Sequence, residues 1–371
     1  MARVIAAGTY DPTFSHNRKL IALLEAAGHE VVTCQVDLWG DERHEIPQQR
    51  KADVLVRAVL AYPRLIWRFL RVRRGDAVLV LHPGWFDMIV LAPLAKLRRM
   101  PVLFNAFISL YDTVVSDRKL ASADSFLVRS LRVVDRWSLR LASRVLADTP
   151  CHAEYFAELA DLPRDRIGVV WVGAWDRIFT PRPEIESSPP RVLFYGTFIA
   201  LHGLETIIRA AKLVEADGIA VRIIGHGQEQ PLVDRLLDEL APANVETIER
   251  VPLEQLPNEI AAATICLGVF GTSDKAHRVV PHKVFECAAV GRPIITGDTE
   301  GVRTAFDENE VMLTPPGVAT ALAEAIRSLM AQPDLRDHLS RACHERYVRM
   351  FSFDVLTKVL DGELETVLGT K

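Results

Sequence analysis

Apolar runs of strand length alternate along this chain with longer segments in which apolar residues recur every third or fourth position. That change of period marks strands alternating with helices in a parallel α/β layer. In the first half, strands are expected over residues 3–7, 31–36, 76–82, 102–107, 144–147 and 169–172, and helices over 17–27, 85–97 and 127–142. Gly28 stands where the first of those helices must stop, and Thr149 where another helix can be capped. The second half repeats the pattern, with strands from 191 and over 220–225, 245–251, 265–270, 293–296 and 309–313. Helices are expected there over 203–213, 258–263, 283–290 and 318–330, and a last one begins at Ser352. Between the halves, residues 175–190 carry four prolines and two serines without an apolar period, the composition of a connector. The expected organisation is an α/β domain over 1–174, a linker over 175–190, a second α/β domain over 191–352 and a terminal helix over 353–371.

The densest chemistry lies in residues 266–298. An apolar strand runs into a polar loop, Pro281 opens a helix, Gly291 stops it, and a second apolar strand follows. A loop at the carboxyl end of a parallel strand, followed by a helix N-terminus, favours an anion, because unpaired N–H groups and the helix dipole converge there. Lys283 and Glu286, three positions apart, share a face near that helix start. They read either as a cation for a phosphate with a carboxylate for sugar hydroxyls, or as a surface ion pair. Glycine loops also close the strands from 191 (Gly196, Thr197) and over 220–225 (Gly225, His226, Gly227). The first strand is followed by Gly8 and a turn-rich loop without G-x-G-x-x-G, so the dinucleotide fingerprint is absent. The polar loop 109–119 follows a sheet strand and belongs to the same carboxyl-end rim. His152 has no Ser or Cys partner in a triad-like setting and reads as structural or cleft-lining.

The chain has 371 residues, enough for two domains with separate cores. With 49 % apolar and 25 % charged residues the composition is globular. A net charge of −4 gives no overall pull toward nucleic acid. Five scattered cysteines without C-x-x-C spacing indicate neither a disulfide framework nor a zinc site, and a reducing cytoplasm is expected. Neither a signal peptide nor an apolar run of membrane-spanning length is read from the sequence, so a soluble or peripherally attached protein is expected. One segment pulls against a purely soluble picture. Residues 57–74 carry six arginines among Leu60, Trp67, Phe69 and Leu70, the composition of a helix lying on an anionic membrane surface or of a solvated face over an ordinary core stripe.

Three separated phrases identify a family. Pro281-x-Lys283-x-x-Glu286 followed by small residues and Gly291-Arg-Pro-Ile-Ile resembles the nucleotide-sugar end of family 4 glycosyltransferases, retaining enzymes of the GT-B fold with two facing Rossmann-like domains and an interdomain cleft. The runs from Asn105 to Lys119 and from Tyr195 to Leu213 resemble a bacterial subgroup of the same family. The resemblance implies sugar transfer from a nucleotide-diphosphate sugar to an acceptor hydroxyl, with retention, without a cofactor or metal, in glycan, cell-envelope or glycoconjugate synthesis. It also implies a terminal helix that crosses back to the first domain.

The donor set it implies is Gly8, Gly196, Thr197, His202, Gly203, Gly225, Arg250, Val251 and Pro281, with Arg250 and Val251 at the base. Thr9 and Asn17 in the first loop are either cleft contacts or parts of a tight turn and helix start. Lys283, Glu286, Arg278 and Asp112 are the implied catalytic group, and Asn105, Asp112, Arg118 and Lys119 the acceptor side. Two departures stand out. Arg278 occupies the position eight before Glu286 where the family usually carries Glu, and Thr197 and His202 replace an Arg and a Lys. These departures also motivate an alternative, a catalytically weak GT-B protein acting as partner or scaffold; a GT-B epimerase is a third reading.

Overall fold

Strand β1 (Arg3–Gly8) is apolar from Val4 onward and buried there, as a strand covered on both faces must be. In the computed structural model, which describes residues 1–38, 51–112 and 126–369, β1 lies inside a six-stranded parallel sheet. The chain passes through α1 (Ser15–Ala26), β2 (Glu30–Gln35), α2 (Lys51–Arg71), β3 (Ala77–Val80), α3 (Trp85–Leu97), β4 (Val102–Asn105) and a single turn, α4 (Leu110–Asp112). It continues through α5 (Phe126–Leu141), β5 (Arg144–Ala147), α6 (Pro150–Ala160) and β6 (Ile167–Val169). The strand order is β2-β1-β3-β4-β5-β6, so the chain reverses direction across the sheet between β1 and β3. Leu65 and Phe69 of α2, Met88 and Leu91 of α3, Leu139 of α5 and Phe156 of α6 join Ile5, Val78, Phe104 and Val145 in one core.

The second unit repeats this plan. Its elements are β7 (Arg191–Tyr195), α7 (Leu204–Leu213), β8 (Ala220–Ile224), α8 (Gln230–Leu240), β9 (Val245–Ile248), α9 (Leu256–Ala261), β10 (Ile265–Leu267) and α10 (Asp274–Arg278). Then come α11 (His282–Val290), β11 (Ile294–Gly297), α12 (Glu300–Ala305), β12 (Met312–Thr314), α13 (Ala319–Ala331) and α14 (Pro333–Met350). The order β12-β11-β10-β7-β8-β9 puts the reversal between β7 and β10. Phe285 of α11 packs against Phe351 at a centroid distance of 4.9 Å and against Phe306 at 6.0 Å, which fixes α11 from beneath.

The last helix, α15 (Phe353–Gly369), begins in the second unit, and from Leu356 onward it belongs to the first. Leu356, Leu360 and Leu364, at four-residue spacing, are fully buried. Asp361 bonds His29 at 2.7 Å and Glu363 pairs with Arg144, so α15 is held by both packing and charge.

Three differences from the sequence expectations have physical reasons. The strand expected over 265–270 ends at Leu267, and the polar segment after it contains a short helix, α10, whose start is capped by the Ser273 hydroxyl accepting from the Ala276 N–H. The sequence showed Gly and polar residues there and hid the cap. Helices α8 and α14 were not expected. Along α14 the exposed positions are so charged that its three buried residues, Leu339, Cys343 and Tyr347, give a weak stripe. Phe69 was grouped with Trp67 on one face of α2, but Phe69 is fully buried whereas Trp67 is 54 % exposed, because two residues along a helix turn a side chain to another face.

Candidate functional site

In open parallel sheets ligands bind outside the carboxyl ends of strands where the chain reverses. In the second unit that point lies between β7 and β10. β7 delivers Tyr195 and then Gly196, whose φ of +141° suits glycine, and a Cβ added at Gly196 would stand 3.0 Å from Lys283 Nζ. From the β10 side come α10 and then α11, where Pro281 holds an extended conformation and no side chain caps the helix start. Pro281 sets the turn, and the first-turn N–H groups head the helix dipole.

Lys283 is only 4 % exposed, and its Nζ has no hydrogen-bond partner among the described residues; it lies 3.9 Å from the Phe194 ring centroid. Burial pushes its pKa well below the ordinary lysine value, opposed by Cys287 and Glu286. Such a cation is expensive to keep charged without an anion. Its neighbour His202 is buried too, and His202 Nδ1 lies 2.5 Å from the Thr197 carbonyl oxygen. That carbonyl can only accept, so Nδ1 carries the proton. Burial first, and Lys283 after it, push the His202 pKa well below its ordinary value against the hydrogen bond to Thr197, and so favour the neutral imidazole. Burial beside two lysines thus disfavours a further positive charge on His202 in the unliganded protein.

Glu286 is half-buried and accepts a 2.8 Å hydrogen bond from Tyr195 Oη, which also reaches the Lys283 carbonyl at 3.3 Å. Tyr195 was absent from the expected set; as the last residue of an apolar strand it looked like core. Arg278 ends α10, half-buried, with its backbone pressed on Gly301, where an added Cβ would fall 2.8 Å from Arg278 C. Gly203 starts α7 in the left-handed region, and Gly225, at the end of β8, lies under the Gly196 carbonyl. Arg250 is exposed and Val251 half-buried just beyond β9. A cavity of about 350 Å³ lined by Pro189, Gly218, Asn244 and Glu246, among others, opens at the amino ends of β8 and β9 and lacks this chemistry.

The first unit has a corresponding rim between β1 and β3. Gly8 has no room for a side chain, since a Cβ would meet Asp87 Oδ2 at 2.5 Å, and the Thr9 N–H donates to Asp87 at 2.7 Å. Burial pushes the Asp87 carboxyl up to about 6, against hydrogen bonds from Thr9 and Tyr62. Asn17 is fully buried and donates to the His82 carbonyl at 2.6 Å, so it ties α1 to the end of β3. At the end of β4, Asn105 Oδ1 lies 3.4 Å from His16 Nε2, and Asn105 Nδ2 has no hydrogen-bond partner among the described residues. Phe107, at φ +41°, stacks on His16 with centroids 4.4 Å apart.

Asp135 of α5, another residue missed, accepts from Ser109 Oγ and from the Leu110 and Tyr111 N–H groups, fixing the turn that carries Asp112. Burial raises its carboxyl to about 6 as well. Asp112 is buried, with its N–H on Ser109 Oγ. Arg118 and Lys119 lie outside the described residues. His152 is buried 2.5 Å from Asp148 and stacks on Phe156.

Residues 177–346 match the model of the glycosyl transferases group 1, and residues 15–173 match that of the glycosyl transferase 4-like domain. Among curated proteins, the lipopolysaccharide core biosynthesis glycosyltransferase LpsE of Rhizobium meliloti is 23 % identical over 216 residues, covering 57 % of this chain and 61 % of that protein. The D-inositol 3-phosphate glycosyltransferase of Nocardia farcinica is 29 % identical over 250 residues, covering 61 % of this chain and 53 % of that protein. The chain's matches thus span between half and two-thirds of these relatives' length.

Among solved structures, sucrose-phosphate synthase from Thermosynechococcus elongatus superposes with a TM-score of 0.78 at 18 % identity, covering 100 % of this chain and 99 % of that one. HepE of Anabaena in complex with UDP-glucose gives 0.69 at 14 % identity, covering 99 % and 100 %. With both halves matched by glycosyltransferase models and the whole chain covered by these structural matches, the chain belongs to family 4 of the glycosyltransferases and has the GT-B fold.

Proposed function

We propose that this protein transfers a sugar from a nucleoside-diphosphate sugar to an acceptor hydroxyl, with retention and without a metal. The observation that carries the reading is Lys283: a buried ammonium with no hydrogen-bond partner among the described residues, set beside a glycine loop at a helix start. A diphosphate supplies the missing anion. As the bond to the sugar breaks, the departing diphosphate gains charge, and a cation and N–H dipoles already aimed at it lower the barrier. Glu286, oriented by Tyr195, receives the ribose hydroxyls, and Arg250 and Val251 flank the base. Arg278 completes the donor contacts within the second unit. Asn105 and Asp112 serve the acceptor, and Arg118 is assigned to it on the sequence resemblance alone. The UDP and UDP-glucose bound in the HepE structures make a uridine nucleotide the first donor to try.

The acceptor class follows from residues 57–74, which rest on an anionic membrane surface and bring the enzyme to a lipid-linked glycan. Arg278 in place of the family's usual Glu, and Thr197 and His202 in place of its Arg and Lys, motivate a second reading, a partner or scaffold role. Thermal shift separates the two. A nucleotide at a hundred times its dissociation constant should raise stability by about 2.7 kcal/mol. UDP or GDP should do so in the wild type and not in Lys283→Ala, with sugar transfer following in an acceptor screen. No shift with any nucleotide overturns the donor site.

A further inference from the structure

Helices α2, α3 and α5 cover the same face of the first sheet, with α3 packed against both of the others. The middle helix is apolar on both sides. Its inner residues Met88, Leu91 and Ala95 are buried in the core, yet Phe86, Ile89, Pro93 and Leu97 form a second stripe facing outward. Phe86 is 47 % exposed, Ile89 40 % and Leu97 79 %. A helix that is apolar all round is normally buried on all sides or faces lipid. No helix among the described residues is long and apolar enough to cross a membrane.

The flanking helices supply what such a contact needs. On α2, Leu60, Arg64, Trp67 and Arg71 project outward in heptad spacing, and the Arg71 guanidinium lies 4.1 Å from the Trp67 ring centroid. On α5, Arg129, Val133, Arg136 and Trp137 are exposed as well, with Trp137 56 % exposed. The only acidic residues within 57–74, 85–99 and 129–141 are Asp87 and Asp135, both buried. At the edge of this face the exposed Asp161 lies 3.9 Å from Arg136 and 3.1 Å from Arg140, but Arg64, Arg71, Arg129 and Arg132 are exposed as well, so among the described residues the face is basic around an apolar ridge in a chain of net charge −4.

We infer that the outward ridge of α3 inserts into the interfacial layer of an anionic bilayer, with α2 and α5 as basic, tryptophan-bearing flanks. The inference extends the membrane reading of residues 57–74 to a three-helix surface centred elsewhere. Tryptophan rings settle at the headgroup level and arginines at the lipid phosphates, while an apolar stripe enters the acyl boundary. A second copy of the chain fits this face poorly, because a two-fold contact would bring arginine rows against arginine rows.

Flotation of the purified full chain with vesicles tests it. The protein should float with phosphatidylcholine–phosphatidylglycerol vesicles, stay behind with phosphatidylcholine alone, and release in high salt. Ile89→Glu, and separately Arg129→Glu/Arg136→Glu with α2 intact, should each lower the bound fraction at least about ten-fold. UDP binding by the second unit, measured on the same preparations, should be unchanged and shows that each variant is folded. If only α2 substitutions reduce flotation, or neutral vesicles bind equally, the inference fails. It fails too if the wild type is a dimer that Ile89→Glu splits, since the occupant is then a second copy. Loss of UDP binding in the wild type would instead sink the donor-site reading and leave the flotation result standing.

Discussion

Lys283 concentrates the chemistry of this protein into one atom. Its amine titrates well below the ordinary lysine value because burial disfavours the charged form. A diphosphate needs the charged form, so donor affinity should fall as pH rises, and the fall should begin well below the pH at which an exposed lysine titrates. Lys283→Arg should move that fall out of reach, because a guanidinium keeps its charge, while Lys283→Ala should abolish it along with most of the binding. Titration of UDP binding against pH in the three proteins gives the answer, and a flat wild-type profile rules the assignment out. Tyr195 acts at one remove, by orienting Glu286. Tyr195→Phe removes a hydrogen bond to a carboxylate and should weaken donor binding by roughly 1.5–3 kcal/mol. The same loss is expected of Glu286→Gln if the carboxylate holds the ribose, and the double variant should lose little more than either alone.

Among the elements, the turns at the strand ends carry the site, and single buried carboxylates hold two of them. Asp87 fastens the loop after β1, and Asp135 the turn after β4. Both carboxyls are raised to about 6 by burial. Each therefore binds its proton more tightly in the folded chain than in the unfolded one. Stability contributed in this way is present at low pH and lost as pH rises from the usual carboxylate range through 6, with no further change above. The melting temperature should accordingly be higher at pH 5 than at pH 7. Asp135→Asn should flatten part of that slope even though it costs stability outright, since one amide oxygen replaces two acceptors. An unaltered slope in that variant would place the titration elsewhere. The strands and most helices were legible at this scale, but α8, α10, α14 and the roles of these carboxylates were not. An Asp within WFDMIV or RVVDRW looks like any polar residue on a helix until the loop it captures is known.

For the molecule as a whole, two sheets of the same plan and a shared terminal helix define the organisation. Leu360 of α15 is fully buried in the first unit, far in sequence from the other residues there. Leu360→Ala should leave a cavity and cost about 2–5 kcal/mol, read by denaturant unfolding. A change below 1 kcal/mol would mean that α15 is dispensable to that unit.

The sequence by itself determined the alternation of strand and helix, the proline-rich connector, the family and the residue types at each strand end. Those depend on local period, turn chemistry and short motifs, which neighbours in the chain are enough to specify. Only the tertiary structure decided that His202 is buried beside lysines distant in sequence, which disfavours its charged form. Only it showed that Phe69 turns inward while Trp67 does not, and that Tyr195 reaches Glu286. The outward apolar stripe of α3 is the clearest case. A run such as WFDMIVLAPLAKL fits a buried helix equally well, and which of its sides lacks a partner depends on what the rest of the chain packs against it.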